Sequence, residues 1–485
     1  MNPARLSLVR ALFAAVLVVA VVGAAAAHAD PAGPDVVDVP GDPVEDVLGL
    51  LFPTSTSTST TSSTSSSTTT SSTTTTTTPA PECSPDRRRG ATDVGVTEQR
   101  VMVGAVTVET GPAAAFLRDQ TLALQAVVAR ANAAGGVCGR TVELDLRDGG
   151  WGSAAGSDAL RDLETSSLLL AVNPDSQALH QASADGFLTA EAFPVVGTDG
   201  LLANQFADPY IWPVGPSMRS FSGDAAGAQY DAGLRHPSVV FETSFGIGRP
   251  AAEGYDAEWV RRAGSGVPGA SAGDGCNERY CGVRAFQASY ASDINRLSTA
   301  CASQPACDAG LLTLDPQTAQ SWFHSGGGAG GAAEPDGGAG AAPPLLFSQE
   351  FAASCGSACD GVRLWTAFRP PVSPFHGEPA VAQYVTDMRA VSTTVDVVDQ
   401  NVQAAYVGAT LAIRALTQAS SMPGGLTRAN VATALDSTSG WNSGLTAAPL
   451  SWSPGDHDAA DTLHAFDIVA GSGFRFVPDS TRPAP

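Results

Sequence analysis

Two successive series of alternating strands and helices predict an α/β protein built on parallel sheets. The clearest unit runs from Val101 to Gly150. Val101, Val103, Ala105, Val106 and Val108 form a short β-branched apolar run, the mark of a strand buried on both faces. After the break at Thr110-Gly111-Pro112, Leu117, Thr121, Leu124, Val128 and Ala131 recur at three- and four-residue steps, which sets them on one helix face. Gly135-Gly136 ends the helix with residues that tolerate positive φ. Thr141 to Leu146 alternates as a second strand and leads into Asp148-Gly149-Gly150. Strand, helix and strand make a βαβ unit, the crossover that parallel strands require.

The same alternation continues downstream. Asp158 to Glu164 reads as a short helix, Ser167 to Val172 as a third strand, and Phe193 to Val196 as a fourth that ends at Gly197-Thr198-Asp199. Between the last two, Asn173-Pro174-Asp175-Ser176 is a turn in which Asp175 or Ser176 can cap the next helix. A second series follows Ile211-Trp212-Pro213-Val214-Gly215-Pro216. It comprises a helix at Phe221 to Gly233, a strand at Ser238 to Glu242, and a turn at Phe245-Gly246-Ile247-Gly248 into a helix through Trp259. Strands at Ala309 to Leu314 and Pro344 to Ser348 flank a helix at Gln317 to Phe323, and Gly326 to Ala342 reads as a flexible surface insertion. Helices at Asn401 to Gln418 and Leu426 to Leu435 precede a terminal hairpin, His464 to Val469 with Gly473 to Val477.

Residues 1–29 set the compartment. Arg5 and Arg10 precede an apolar run from Ala11 to Ala27, and Ala27-His28-Ala29 offers small residues for cleavage near Ala29, so an exported, extracellular or envelope-associated protein is expected. An uncleaved anchor is the alternative, because the run is nearly long enough to span a membrane. Residues 30–92 read as a linker whose core, Thr54 to Thr78, is Ser and Thr throughout. Such a tract has no apolar surface to bury, and with Pro79 and Pro81 it has the composition of a glycosylated stalk or of a plain spacer. The formal charge of −22 argues against a nucleic-acid partner, and all 26 cationic residues are Arg.

In an oxidising compartment the eight cysteines read as disulfides. Cys276 with Cys281, Cys301 with Cys307 and Cys355 with Cys359 are close pairs, which leaves Cys83 with Cys138. The alternative, zinc, lacks the tight CxxC knuckles or interleaved His that such sites use, so no metal and no cofactor are expected. Catalysis is not expected either. His180, His236, His324, His376, His457 and His464 are scattered without a nucleophile signature, and Asp456-His457-Asp458 sits in a Gly/Pro turn that reads as a solvated loop.

Several motifs occur in a telling order. Gly95-Val96-Thr97 leads into the first strand, Thr110-Gly111-Pro112-Ala113-Ala114 follows it, and Asn132-Ala133-Ala134-Gly135-Gly136-Val137-Cys138-Gly139-Arg140 closes the helix. Tyr210 to Pro216, Phe245-Gly246 and Gly444 to Ser453 come later. From about Val94 to Val477 the chain thereby resembles the type I periplasmic binding proteins, the branched-chain amino acid receptor branch of ABC importers. The resemblance implies two doubly wound parallel-sheet lobes joined by a hinge around a ligand cleft: 93–214 with 372–455, and 215–371 with 456–485. It implies a monomer that captures a small polar ligand, an amino acid or a related amide or acid, for an ABC permease.

By the same resemblance, Ser176 at a helix start would hold a ligand carboxylate, and Thr198 after the fourth strand would present a hydroxyl. Phe116 and Phe245 would line the cleft, and Glu350 would receive an ammonium. The chain departs from the pattern at Asp175, whose negative charge disfavours a carboxylate beside it in a desolvated cleft. It also has no lipid-anchor Cys after the leader. Together with the Ser/Thr tract, that suggests an alternative: a secreted or wall-associated sensor that has left transport.

Overall fold

The computed structural model describes residues 90–483 apart from 173, 273–274, 304, 330–339, 472, 479 and 481, and these fall within one compact unit. The expected leader, the Ser/Thr linker and Cys83 lie outside the described residues. Five strands, β1 Arg100–Thr107, β2 Thr141–Asp148, β3 Leu169–Ala171, β4 Val195–Thr198 and β5 Ile211–Pro213, form a parallel sheet in the order β2-β1-β3-β4-β5. Val101, Val103, Ala105 and Val106 of β1 are all buried, which is why that strand shows no alternation of polarity. Helices α1 Gln120–Ala133, α2 Ser153–Glu164 and α3 Ser176–Ala184 make the crossovers. Leu117 falls outside α1, in a separate turn at Ala114–Leu117.

The second lobe is a mixed sheet. Its strands are β6 Pro237–Glu242, β7 Cys276–Asn277, β8 Tyr280–Val283, β9 Ala309–Thr313, β10 Gly340–Ala342, β11 Arg363–Thr366, β12 Thr462–Val469, β13 Gly473–Phe476 and β14 Arg482–Pro483. Their order is β13-β12-β11-β10-β9-β6-β8-β7, with β14 on β12. The strands from β11 to β8 run parallel, and β7, β12 and β13 add antiparallel edges. Helices α4 Met218–Asp231, α5 Gly248–Ala263, α6 Ala291–Ala302, α7 Pro316–His324 and α8 Gln349–Cys355 belong to this half of the chain.

Three later helices, α9 Pro379–Val391, α10 Gln400–Ser420 and α11 Arg428–Asp436, return to the first sheet. There α10 packs on α1 and β4. The approach is so close that a Cβ on Gly197 would lie 2.3 Å from the Cα of Gly408, so only glycine fits at that φ of +82°. Arg428 staples α11 in place. Its buried guanidinium meets the Glu164 carboxylate at 2.6 Å and the Ser167 carbonyl at 2.9 Å.

Three disulfides join Cys276 to Cys281, Cys301 to Cys307 and Cys355 to Cys359; Cys138 is also disulfide-bonded. Three expectations need correction. Pro344 to Ser348 is not a strand: Pro343-Pro344 starts a 3₁₀ turn at Pro344–Leu346, because proline cannot donate to a ladder. The strand is Gly340–Ala342, the buried end of the stretch read as a surface insertion. The loop at Asp456-His457-Asp458 is not solvated at its centre. His457 is buried, stacks on Trp212 at 5.1 Å and lies 2.6 Å from the Ile211 carbonyl.

Candidate functional site: the crevice between the sheets

The order of the first sheet reverses direction between β1 and β3, and that of the second between β6 and β9. Open parallel sheets form their ligand crevice outside the carboxyl ends of strands at such a point. The segments that border this crevice therefore follow β1 through β4 on one side, and β6 and β9 on the other.

Asp148, at the end of β2, builds the loop after β1. Its Oδ1 accepts the amides of Glu109 (3.0 Å), Thr110 (3.4 Å) and Gly150 (3.0 Å), and its Oδ2 accepts the Thr110 hydroxyl at 2.6 Å. Burial opposes ionisation here, but these hydrogen bonds prevail and hold the carboxyl below its ordinary value. Gly111 is required at its φ of +84°, where a Cβ would lie 2.2 Å from the Gly150 carbonyl.

Beyond β3, Asp175 caps α3 by accepting the Ala178 amide at 3.1 Å. Its carboxylate sits in a cradle of glycines: a Cβ on Gly149 or Gly156 would come within 2.1 or 2.5 Å of Oδ2. Desolvation pushes Asp175 up to about 6, against hydrogen bonds from the Ala178 and Gln177 amides. Asp199, after β4, is likewise raised to about 6 by burial. Its Oδ1 accepts the Leu201 amide (3.1 Å) and Gln205 Nε2 (3.2 Å), and receives the Ser176 hydroxyl at 3.5 Å. Ser176 is fully buried in this network and itself accepts from Gln205 at 3.3 Å. The buried Thr198 Oγ1 and Asp199 Oδ2 have no hydrogen-bond partner among the described residues.

The opposing wall is shaped by Glu242, the last residue of β6. Fully buried, it accepts four backbone amides: Ser244 (2.6 Å), Phe245 (2.8 Å), Ile247 (3.0 Å) and Gly248 (3.1 Å). Burial raises its pKa against those bonds. The tight loop this makes projects Phe245, which meets Trp151 edge to face at 6.0 Å and Phe286 at 5.4 Å. Gln177 Nε2 donates to the Phe245 carbonyl at 2.8 Å. Trp151 stands on the loop after β2, Gln177 in the first turn of α3 and Phe245 on the loop after β6, so the two lobes touch here. Trp151 is buried, and its indole N–H has no acceptor among the described residues.

The residues singled out in the sequence occupy three places. Ser176 is buried in the network around Asp199, and the buried Thr198 precedes Asp199 at the end of β4. Phe245 lines a cavity of about 390 Å³ with Gln177, His180, Asn204, Glu242 and Arg249. Phe116 and the exposed Glu350 line a smaller one, about 130 Å³, with Gln317, Ser348 and Asn401. Sequence reasoning missed Trp151, Gln177 and Glu242. A tryptophan directly after Asp148-Gly149-Gly150, at the carboxyl end of a strand, was the signal available.

The match to known proteins covers most of this architecture: residues 100–472 fit the family described as periplasmic binding protein. The chain belongs to that family. Among solved structures, it is similar to a fatty acid ABC transporter substrate-binding protein from Thermomonospora curvata. That match has a TM-score of 0.66 and 20% identity, covering 82% of this chain and 96% of the other. A leucine binding protein from Thermotoga maritima matches with a TM-score of 0.60 and 15% identity, over 78% of this chain and 97% of the other. A solute binding protein from R. palustris, in complex with benzoate, matches with a TM-score of 0.62 and 14% identity, over 80% and 97%. At such identities these structures share a fold, the two-lobed type I architecture, with this chain. No curated protein matches it in sequence.

Proposed function

We propose that this periplasmic binding protein captures a small polar molecule outside the cytoplasm and delivers it to an ABC importer. The observation that carries the reading is the junction of Trp151 and Gln177 with the Phe245 loop, where segments at the carboxyl ends of strands from the two sheets meet. The lobes in this reading are 93–214 with 372–455 and 215–371 with 456–485, moving about their connections as hinged domains do. The ligands for which those neighbours are named, a fatty acid, leucine and benzoate, support a small organic molecule as the cargo of such a fold.

The first lobe's side of the crevice supplies acceptors. Asp148, Asp175 and Asp199 stand at consecutive strand ends, and the free oxygens of Thr198 and Asp199 are the atoms that ligand N–H or O–H groups would meet. A bare carboxylate is disfavoured beside them. Ser176, Phe116, Phe245 and Glu350 complete the proposed contacts. Nothing in this arrangement calls for a nucleophile, and the reading is of binding without catalysis. The leader would be removed near Ala29, leaving the Ser/Thr segment to space the domain from the envelope. Native mass spectrometry of protein purified from its own host tests the reading. A co-purifying small molecule, released on unfolding and lost in Trp151→Ala, is expected. The wild-type mass without any adduct, together with no stabilisation by any small polar metabolite, would refute it.

A further inference from the structure

A second cavity, about 490 Å³ in volume, opens at the opposite end of the second lobe's sheet. It lies at the amino ends of β6 and β8, by Pro237 and Arg279, whereas the crevice lies at their carboxyl ends, by Phe245. A strand of that length separates the two by roughly 20 Å at about 3.3 Å per residue.

Its walls are two disulfide-closed loops. Cys276–Cys281 closes the turn that carries Glu278 and Arg279, and Cys301–Cys307 closes the turn that carries Ser303 and Pro305. An Arg279 Nη2 hydrogen bond to the Pro305 carbonyl ties one loop to the other. Arg279 is only 8% exposed, and that carbonyl is its one side-chain partner among the described residues. A buried guanidinium without a carboxylate is costly unless a counter-charge arrives.

Among the described residues no carboxylate stands within ion-pair distance of Arg279. Arg235, stacked on Tyr230 at 4.0 Å, donates to the carbonyls of Tyr230 and Leu234, both at 2.6 Å, and pairs with no acid. The ring of His236 makes no hydrogen bond among the described residues. Glu278, the one carboxylate in the lining, lies beyond ion-pair distance of either arginine. Asp308 is close and its Oδ1 accepts the Arg235 and His236 amides at 2.9 and 2.6 Å, but no ion pair joins it to either guanidinium among the described residues. In a chain of net charge −22, two arginines without an ion-pair partner among the described residues thus line one cavity large enough for a small organic ligand.

We propose that the second lobe carries a separate site in which Arg279 and Arg235 bind the oxyanion of a small acidic molecule, with Trp259 as the apolar floor. Guanidinium is the group suited to carboxylate or phosphate oxygens, since its planar fork donates two parallel hydrogen bonds. The disulfide loops hold that fork in place before the ligand arrives, which reduces the ordering cost of binding.

Calorimetric titration of the full-length protein with citrate and with inorganic phosphate tests this. Saturable binding of at least one anion is expected, weakening as salt is added. Arg279→Gln and the exposed Arg235→Gln should each weaken it about tenfold or more, Arg279→Lys should restore part of it, and the crevice variant Trp151→Ala should leave it unchanged. Two results would overturn the proposal: no saturable binding of either anion up to about 10 mM, or binding that survives Arg235→Gln and a folded Arg279→Gln undiminished. Loss in Trp151→Ala with retention in both arginine variants would instead place the anion in the crevice.

Discussion

If the Trp151–Phe245 contact joins the lobes, the two side chains must be energetically coupled, and a double-mutant cycle measures that coupling. The rings meet edge to face, 6.0 Å apart at 82°, a geometry that contributes about 1 kcal/mol beyond area burial. Trp151 is 6% exposed, so Trp151→Ala should cost about 3 kcal/mol of stability. Phe245 is half-buried and keeps Phe286 beside it, so Phe245→Ala should cost less, about 1–2 kcal/mol. The double variant should then be less destabilised than the sum of the singles by about 1 kcal/mol. Urea unfolding followed by tryptophan emission provides the four free energies, with equal m-values as the check that compactness is unchanged. Additivity within about 0.3 kcal/mol would refute the contact as a lobe-to-lobe link.

Three further variants address the frame around the crevice. Asp399 caps α10 through the Asn401 amide, and desolvation, reinforced by Asp396, pushes it up to about 8. Because the fold prefers its protonated form, stability is full below the ordinary carboxylate range and falls as pH rises toward 8. Asp399→Asn keeps the cap and removes the charge, so its melting temperature should exceed the wild type's by a margin that grows from about pH 4.5 to pH 8; a constant margin would contradict this. Gly197→Ala drives a Cβ into α10 at 2.3 Å and should cost more than about 3 kcal/mol, read as a collapse of the thermal transition. Arg428→Met leaves Glu164 unpaired against α11 and should lower the urea midpoint by the equivalent of about 3 kcal/mol.

The first sheet was legible because its strands advertise themselves. β1 is β-branched and buried on both faces, and its helix ends on two glycines whose φ values are +101° and +70°. The second lobe was harder. Gly340-Ala341-Ala342 has no strand-forming side chain and becomes a strand only through its neighbours β9 and β11, while the more hydrophobic Pro344 to Phe347 beside it turns away. Local cysteine pairs could be read from spacing alone. Of the crevice, sequence order could name the strand-end loops but not who meets whom. Trp151 and Phe245 are far apart in the chain, and their contact exists only once both sheets have formed. Glu242 looked like the ordinary end of a strand; its role in turning the Phe245 loop lies wholly in four backbone amides that carry no sequence identity.

The central claim is that a small polar molecule binds between the lobes, and a thermal-shift screen of small polar metabolites tests it most directly. At a hundredfold excess over Kd a ligand adds about 2.7 kcal/mol, which for a domain of this size raises Tm by roughly 3 °C. The account predicts at least one such compound, its shift abolished by Trp151→Ala and untouched by Arg279→Gln. A panel in which no compound moves Tm, or in which the only active compound acts equally on Trp151→Ala, would contradict it.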